Sequence, residues 1–279
     1  MTNCLFLSMM LIGFCTSCYS QKESTVLKVL TYNIHYGVGM DAEKNLKRIA
    51  QVISELDPDL VGLQEVADSA MVASLAQMTN MLGVFGASTE KEPPNLFNLL
   101  GIPIPKEQLH YGDGILSKYP FRYIGNLSIP SASSSRYEAM CIEVDIDSEG
   151  SAQKKVRFIT THFDYLETIG SHAARKASIE VIEKAFVEDS LETAYILTGD
   201  LNATPNSDVL KLLGLRGWAQ EDLGNKLYTV PSPSPSKQID YVLVRPKSAW
   251  RIIDIVAVEE GQASDHLPIF MTLAPVSDR

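Results

Sequence analysis

Four apolar runs rich in β-branched residues each stop at an acid, an amide or an imidazole, and no other feature constrains the chain as much. Val26 to Tyr32 runs into Asn33, Asp59 to Leu63 into Gln64 and Glu65, and Val156 to Thr161 into His162. Ala194 to Thr198 continues through Gly199 into Asp200, with Asn202 two residues on. Near-continuous apolar runs of this kind read as strands covered on both faces. A fifth run, Ile239 to Val244, carries Asp240 near its start, and Ser264-Asp265-His266 precedes a last run from Leu267 to Leu273. Taken singly, each polar residue has an ordinary explanation: Asn33 as a turn former, Glu65 as a solvated strand end, Asp200 in an Asx turn, Asp265 as a cap. Together, acids at the ends of several buried strands would converge on one rim and repel unless a cation sits among them.

Helical spacing is clear in two places. Leu46, Ile49, Ala50 and Ile53 repeat along one face until Pro58 closes the segment, and Ser171 to Val187 carries a broad apolar face. Shorter helices are expected over 70–82 and 206–213, with Met71, Met78 and Met81 in the core. Strands outnumber helices and do not alternate with them strictly. Two packed sheets with helices outside are therefore favoured over a doubly wound parallel sheet. No repeat is visible, and one α/β domain is expected over 24–279.

The N-terminal residues stand apart. Leu5 to Phe14 is apolar and too short to span a bilayer as a folded helix, so residues 1–20 read as an export signal, although no Lys or Arg precedes the apolar core. Thr16-Ser17-Cys18 suits a lipoprotein-type site; lipid attachment at Cys18, cleavage near Ser20 and an uncleaved N-terminus are the alternatives. Export implies a periplasmic or cell-surface protein. Three of the four cysteines lie in this leader, which leaves Cys141 as a small buried hydrophobe and no disulfide framework. The leader holds no charged side chain, so the net charge of −10 belongs to the body. That sign argues against long duplex DNA, whose binding needs basic residues that displace counterions.

Carboxylates and amide oxygens without a Cys/His cluster suit Mg²⁺ or Mn²⁺, with Ca²⁺ also compatible, rather than Zn²⁺. The imidazole beside Asp265 in Ser264-Asp265-His266 offers proton transfer or an anion contact.

These residues fall into an ordered series: Thr31-Tyr32-Asn33-Ile34, Leu63-Gln64-Glu65-Val66, Tyr111-Gly112-Asp113-Gly114-Ile115-Leu116-Ser117 and Thr161-His162-Phe163-Asp164. It continues with Gly199-Asp200-Leu201-Asn202-Ala203-Thr204-Pro205, Ile239-Asp240-Tyr241 and Ser264-Asp265-His266-Leu267-Pro268. The series resembles the endonuclease/exonuclease/phosphatase superfamily, the DNase I-like metal-dependent phosphoesterases, over nearly the whole chain after the leader. The resemblance implies a four-layer α/β sandwich of two mixed sheets flanked by helices, with the active site at one sheet end. It implies Glu65 as main metal ligand, assisted by Asn33 and Asp265. Asp200 and Asn202 would orient or deprotonate the attacking water, Asp240 would hold His266 for phosphate contact or proton transfer, and His162 would stabilise developing charge. Two positions depart from the family's pattern: Asp113, where Asn is frequent, and Ser134-Ser135-Arg136, where Glu-Pro-Arg is frequent. Arg136 is a candidate phosphate contact or an ordinary surface residue.

The substrate expected is a phosphate ester, with a lipid or small molecule favoured over nucleic acid on charge grounds and short single strands as the alternative. The Pro-interrupted apolar stretch 93–105 is expected to pack on the domain or, alternatively, to form a rim for an acyl chain. A non-catalytic binding protein on the same fold would lack a metal carboxylate or a His, and none is missing here. No pattern calls for a protein partner, and a monomer is expected.

Overall fold

The computed structural model describes residues 26–87, 112–133, 135–147, 153–188, 193–221 and 223–276. The leader with Cys18, the 93–105 stretch, Tyr111 and Ser134 lie outside them.

The apolar runs form strands wherever β-branched residues can be covered on both faces. In chain order the strands are β1 (Leu27–Asn33), β2 (Leu60–Val66), β3 (Leu82–Ala87), β4 (Gly112–Ser117), β5 (Phe121–Ile129), β6 (Tyr137–Asp147), β7 (Gln153–His162), β8 (Thr193–Asp200), β9 (Asp240–Arg245), β10 (Trp250–Ala257) and β11 (Ile269–Pro275). One sheet has the order β10-β11-β1-β2-β4-β3 and the other β5-β6-β7-β8-β9. Both are mixed. β1 with β2 and β7 with β8 are parallel pairs, and the remaining neighbours are antiparallel.

Each parallel pair needs a crossover, which a helix supplies. α1 (Leu46–Leu56) joins β1 to β2, and α3 (Ile169–Phe186) joins β7 to β8. α2 (Ser69–Thr79) and α4 (Asp208–Leu215) follow β2 and β8. Side chains of Asn45, Asp68, Thr168 and Ser207 cap the four N-termini by accepting backbone N–H groups left free there. Asn80 in the left-handed conformation ends α2 at Thr79, short of the 82 expected from spacing, because Leu82 already pairs with Ser117 in the sheet. Met71 and Met81 are buried as expected, whereas Met78 is 40% exposed and is not core.

The layers follow from three apolar clusters. Val29, Leu60 and Ile115 of one sheet meet Met140, Phe158, Ile196 and Val242 of the other between the sheets. Ile49 and Ile53 of α1 with Val72 and Leu75 of α2 cover the outer face of the first sheet. Ile179, Ile182 and Phe186 of α3 with Val209 and Leu213 of α4 cover the outer face of the second. The result is the four-layer sandwich, helices–sheet–sheet–helices. Cys141 is buried in it, and burial pushes its thiol up to about 12, so it packs as an inert apolar group. The sheets approach closely at Gly62, where a side-chain carbon would collide with the hydroxyls of Thr160 and Thr198 from the facing sheet.

Candidate active site

Strand direction alone gathers the polar stops. Asn33 and Gln64 are partners at the C-terminal ends of parallel β1 and β2, and His162 and Asp200 at those of parallel β7 and β8. Antiparallel β9 brings its first residue, Asp240, opposite Asp200. Antiparallel β11 starts beside the end of β1, which places the preceding Ser264-Asp265-His266 at the same edge. Both sheets thus deliver their polar residues to one end of the sandwich.

Two local distortions aim the side chains. Between Leu63 and Val66, β2 holds one residue more than β4, and Glu65 there adopts φ 54°. A bulge of this kind turns a side chain away from the regular alternation. Gly199, at φ 148°, lies so close to the Thr161 carbonyl oxygen that a side-chain carbon has no room.

The groups interlock across the sheets. His35 N–H donates to Asn33 Oδ1 at 3.1 Å, which turns Asn33 Nδ2 toward Glu65 Oε1 (3.1 Å) and Asp200 Oδ2 (3.3 Å). His266 Nδ1 lies 2.9 Å from Asp240 Oδ2, and its Nε2 is 3.7 Å from Asp200 Oδ2. His162 Nε2 is 3.5 Å from that same Asp200 oxygen and 3.2 Å from Asn202 Nδ2, which also donates to Phe163 O at 2.9 Å. Asn33, Glu65, His162, Asp200, Asn202, Asp240 and His266 therefore form one cluster. Asp265 sits at its margin, half exposed and 3.8 Å from His35 Nδ1. Arg136 is half-buried ahead of β6 and makes no hydrogen bond or ion pair among the described residues.

Charge and burial set the protonation states. Burial, together with the neighbouring Asp240, raises the Asp200 carboxyl above its ordinary range, against the pull of His266. For His266, burial favours the neutral ring, but the charge and hydrogen bond of Asp240 outweigh it and push the imidazole up to about 10. Burial lowers the pKa of His162 against the opposing charge of Glu65, so its ring is neutral at pH 7. A cation, a proton-accepting carboxylate and a neutral imidazole thus face one cleft.

The donors suit a hard divalent cation. Glu65 and Asp200 present oxygens to the same point, shared at present by one amide nitrogen, and Asp240 Oδ1 is buried without a hydrogen bond among the described residues. One atom from each of Asp200, Asp240 and His266 also lies within 4.8 Å of the others. Because His266 Nδ1 is committed to Asp240, the oxygen-rich side toward Glu65 fits such an ion better than that trio does.

Some contributors escaped sequence reading. Ser264 Oγ donates to Asn33 O at 2.7 Å, holding the loop before β11 against the end of β1, and Gln64 Nε2 donates to Thr160 Oγ1 at 2.8 Å, pinning the two sheets together beneath the site. Asp164 accepts from Ser131 Oγ (3.1 Å), Ala132 N (2.7 Å) and Ser133 N (3.0 Å), holding the segment that leads to Arg136. Asp113 is buried on β4 with Oδ2 unpartnered among the described residues. Burial, then the charges of Glu138, Asp200 and Glu65, raises its carboxyl well above the usual range. A protonated Asp has nearly the shape of Asn, which accounts physically for its standing where the family's pattern has that residue.

Two packed mixed sheets with acids, amides and imidazoles gathered at one end define the DNase I-like class of α/β sandwiches. Within it, the chain belongs to the Endonuclease/Exonuclease/phosphatase family, whose model matches residues 30–266. Members of this family are typically hydrolytic phosphoesterases and generally depend on divalent metals. The fold is similar to that of an endonuclease/exonuclease/phosphatase from Beutenbergia cavernae, with TM-score 0.68 and 23% identity over 90% of this chain and 72% of the other. An endonuclease/exonuclease/phosphatase family protein from Bacteroides thetaiotaomicron gives TM-score 0.68 at 14% identity, covering 91% of this chain and 100% of its own. The mannosyl-6-phosphatase of the same organism gives 0.66 at 14% identity, covering 89% and 99%. No curated protein matches the chain in sequence.

Proposed function

We propose that the protein is a divalent-metal-dependent hydrolase of phosphate esters that acts outside the cytoplasm on a small-molecule or lipid phosphate. The observation that carries this reading is the cross-sheet cluster itself, above all His266 held at 2.9 Å by Asp240 and facing Asp200.

Each side chain has a task its surroundings support. Asp240 keeps His266 protonated at neutral pH, so His266 holds the phosphate by charge and can release a proton from Nε2 to the leaving oxygen. Asp200, its carboxyl raised by burial, is basic enough to take a proton from the attacking water. Asn202, fixed by its bond to Phe163 O, orients that water or a phosphoryl oxygen, and neutral His162 supplies a further contact. Mg²⁺ or Mn²⁺ bound by Glu65, with Asn33 and Asp265 in support, would polarise the phosphoryl group. The apolar leader supports export, and Cys18 supports attachment to a membrane through a lipid. The net charge of −10 disfavours long nucleic acid.

Metal titration during assays on a sugar phosphate, a lipid phosphodiester and a single-stranded oligonucleotide tests the reading. Turnover should require Mg²⁺ or Mn²⁺ and be slowest on the oligonucleotide. Hydrolysis undiminished by excess chelator would reject the mechanism.

A further inference from the structure

Next to the cluster lies a groove of about 950 Å³, joined to it through Asn202 and through Ile239, the neighbour of Asp240. Its size falls in the range that small ligands fill. Tyr165 and Ile169 line it with 56% and 91% of their surfaces exposed. The cations of the groove are Lys176 and Lys237, both exposed, and Arg175, which is buried.

The ion pairing within the groove is uneven. Glu167 is engaged by His172 at 3.4 Å and Arg175 at 3.5 Å, and Asp208 by Lys211 at 3.3 Å. Lys176 and Lys237 make no ion pair among the described residues. Arg175, 1% exposed, leaves Nε unpartnered among those residues although its Nη1 donates to Asp164 O. In a chain with net charge −10, uncommitted cations beside the cleft would lower the cost of placing a second anion there.

We propose that this groove seats the organic part of the substrate and selects small phosphate esters that carry a second anionic group. The inference rests on the phosphoesterase reading and narrows it. The reacting phosphate lies over His162, Asn202 and His266. Tyr165 and Ile169 cover the ring or chain that bears it, and Lys176 and Lys237 meet the second anion.

Glucose 6-phosphate and glucose 1,6-bisphosphate form the test pair. The wild-type protein should favour the bisphosphate by about tenfold in kcat/KM, mostly through KM, and the Lys176→Ala/Lys237→Ala variant should lose that preference. No preference in the wild type, or a preference retained by the variant, overturns the proposal. Calorimetric titration of the metal-free protein with glucose 1,6-bisphosphate reads the groove without turnover. Binding about tenfold weaker in the double variant supports the groove even when neither ester is hydrolysed, and the metal-dependent assays on the three substrate classes then judge the phosphoesterase reading separately. Equal binding by the two proteins, or no measurable binding by either, overturns the groove.

Discussion

At the scale of single residues, the cluster is a set of protonation states held apart by their surroundings. His266 owes its charge to Asp240, so Asp240→Asn should return its titration from about 10 to 6.5 or below, followed by NMR of the ring protons in metal-free protein. Because the folded-state pKa is the higher one, this ion pair contributes fully to stability below pH 6.5 and loses its contribution as pH rises toward 10. The difference in unfolding free energy between wild type and Asp240→Asn should shrink over that window. Replacing His266 by Gln should lower kcat by about 10²–10⁴-fold. Asp113 works in the opposite sense, since a raised carboxyl costs stability increasingly as pH climbs above its ordinary value of 3.8. Asp113→Asn should therefore raise the urea midpoint at neutral pH and leave it little changed near pH 3. The site residues were legible in the sequence because each interrupts or flanks an apolar run, and a polar stop stands out against such a run. Their supports were not: Ser264 and Asn33 lie 231 positions apart, and Gln64 and Thr160 lie 96 apart, partners that only the assembled sheets and their stacking bring together.

Among the elements, local irregularities do most of the aiming. The bulge at Glu65 takes the main carboxylate out of the regular alternation of β2, so Glu65→Gln should fold normally and bind Mg²⁺ at least about tenfold more weakly by calorimetry. Asp164 ties the 131–133 turn to the end of β7. Asp164→Ala should cost about 1–2 kcal/mol in urea unfolding, since it removes the charged acceptor of two part-buried backbone N–H groups. Burial alone would raise its carboxyl, but the backbone N–H groups of Leu166, Ala132 and Ser133 outweigh it and hold the carboxyl below the ordinary range. The stabilisation is thus present above pH 3.8 and fades as pH falls through the lower folded-state value. Central strands and both long helices could be read from periodicity. β5 could not, because most of its side chains are exposed or half-buried and leave no apolar run to recognise. Nor could the end of α2, which is set by a left-handed Asn80 and by pairing of Leu82 across the sheet.

Seen as a whole molecule, the two sheets each contribute one half of the cluster. Asn33, Glu65 and His266 belong to the β1 side, and His162, Asp200 and Asp240 to the β8 side, joined by the bonds from Asn33 to Asp200 and from His266 to Asp240. Gly62 permits the close stacking underneath, and Gly62→Ala should destabilise the fold by about 1–3 kcal/mol as the Thr160 and Thr198 hydroxyls are forced back. The stacked arrangement was foreseeable from the surplus of strands over helices. How closely the layers approach was not, because it depends on which small residue faces which hydroxyl.

An active centre stitched across a seam has no smaller version of itself. Any intermediate that preserved a single sheet would hold half the cleft, so turnover should be lost no later than tryptophan fluorescence along a denaturant gradient. On the proposed reading, turnover would double as a gauge of whether the two halves are still pressed together.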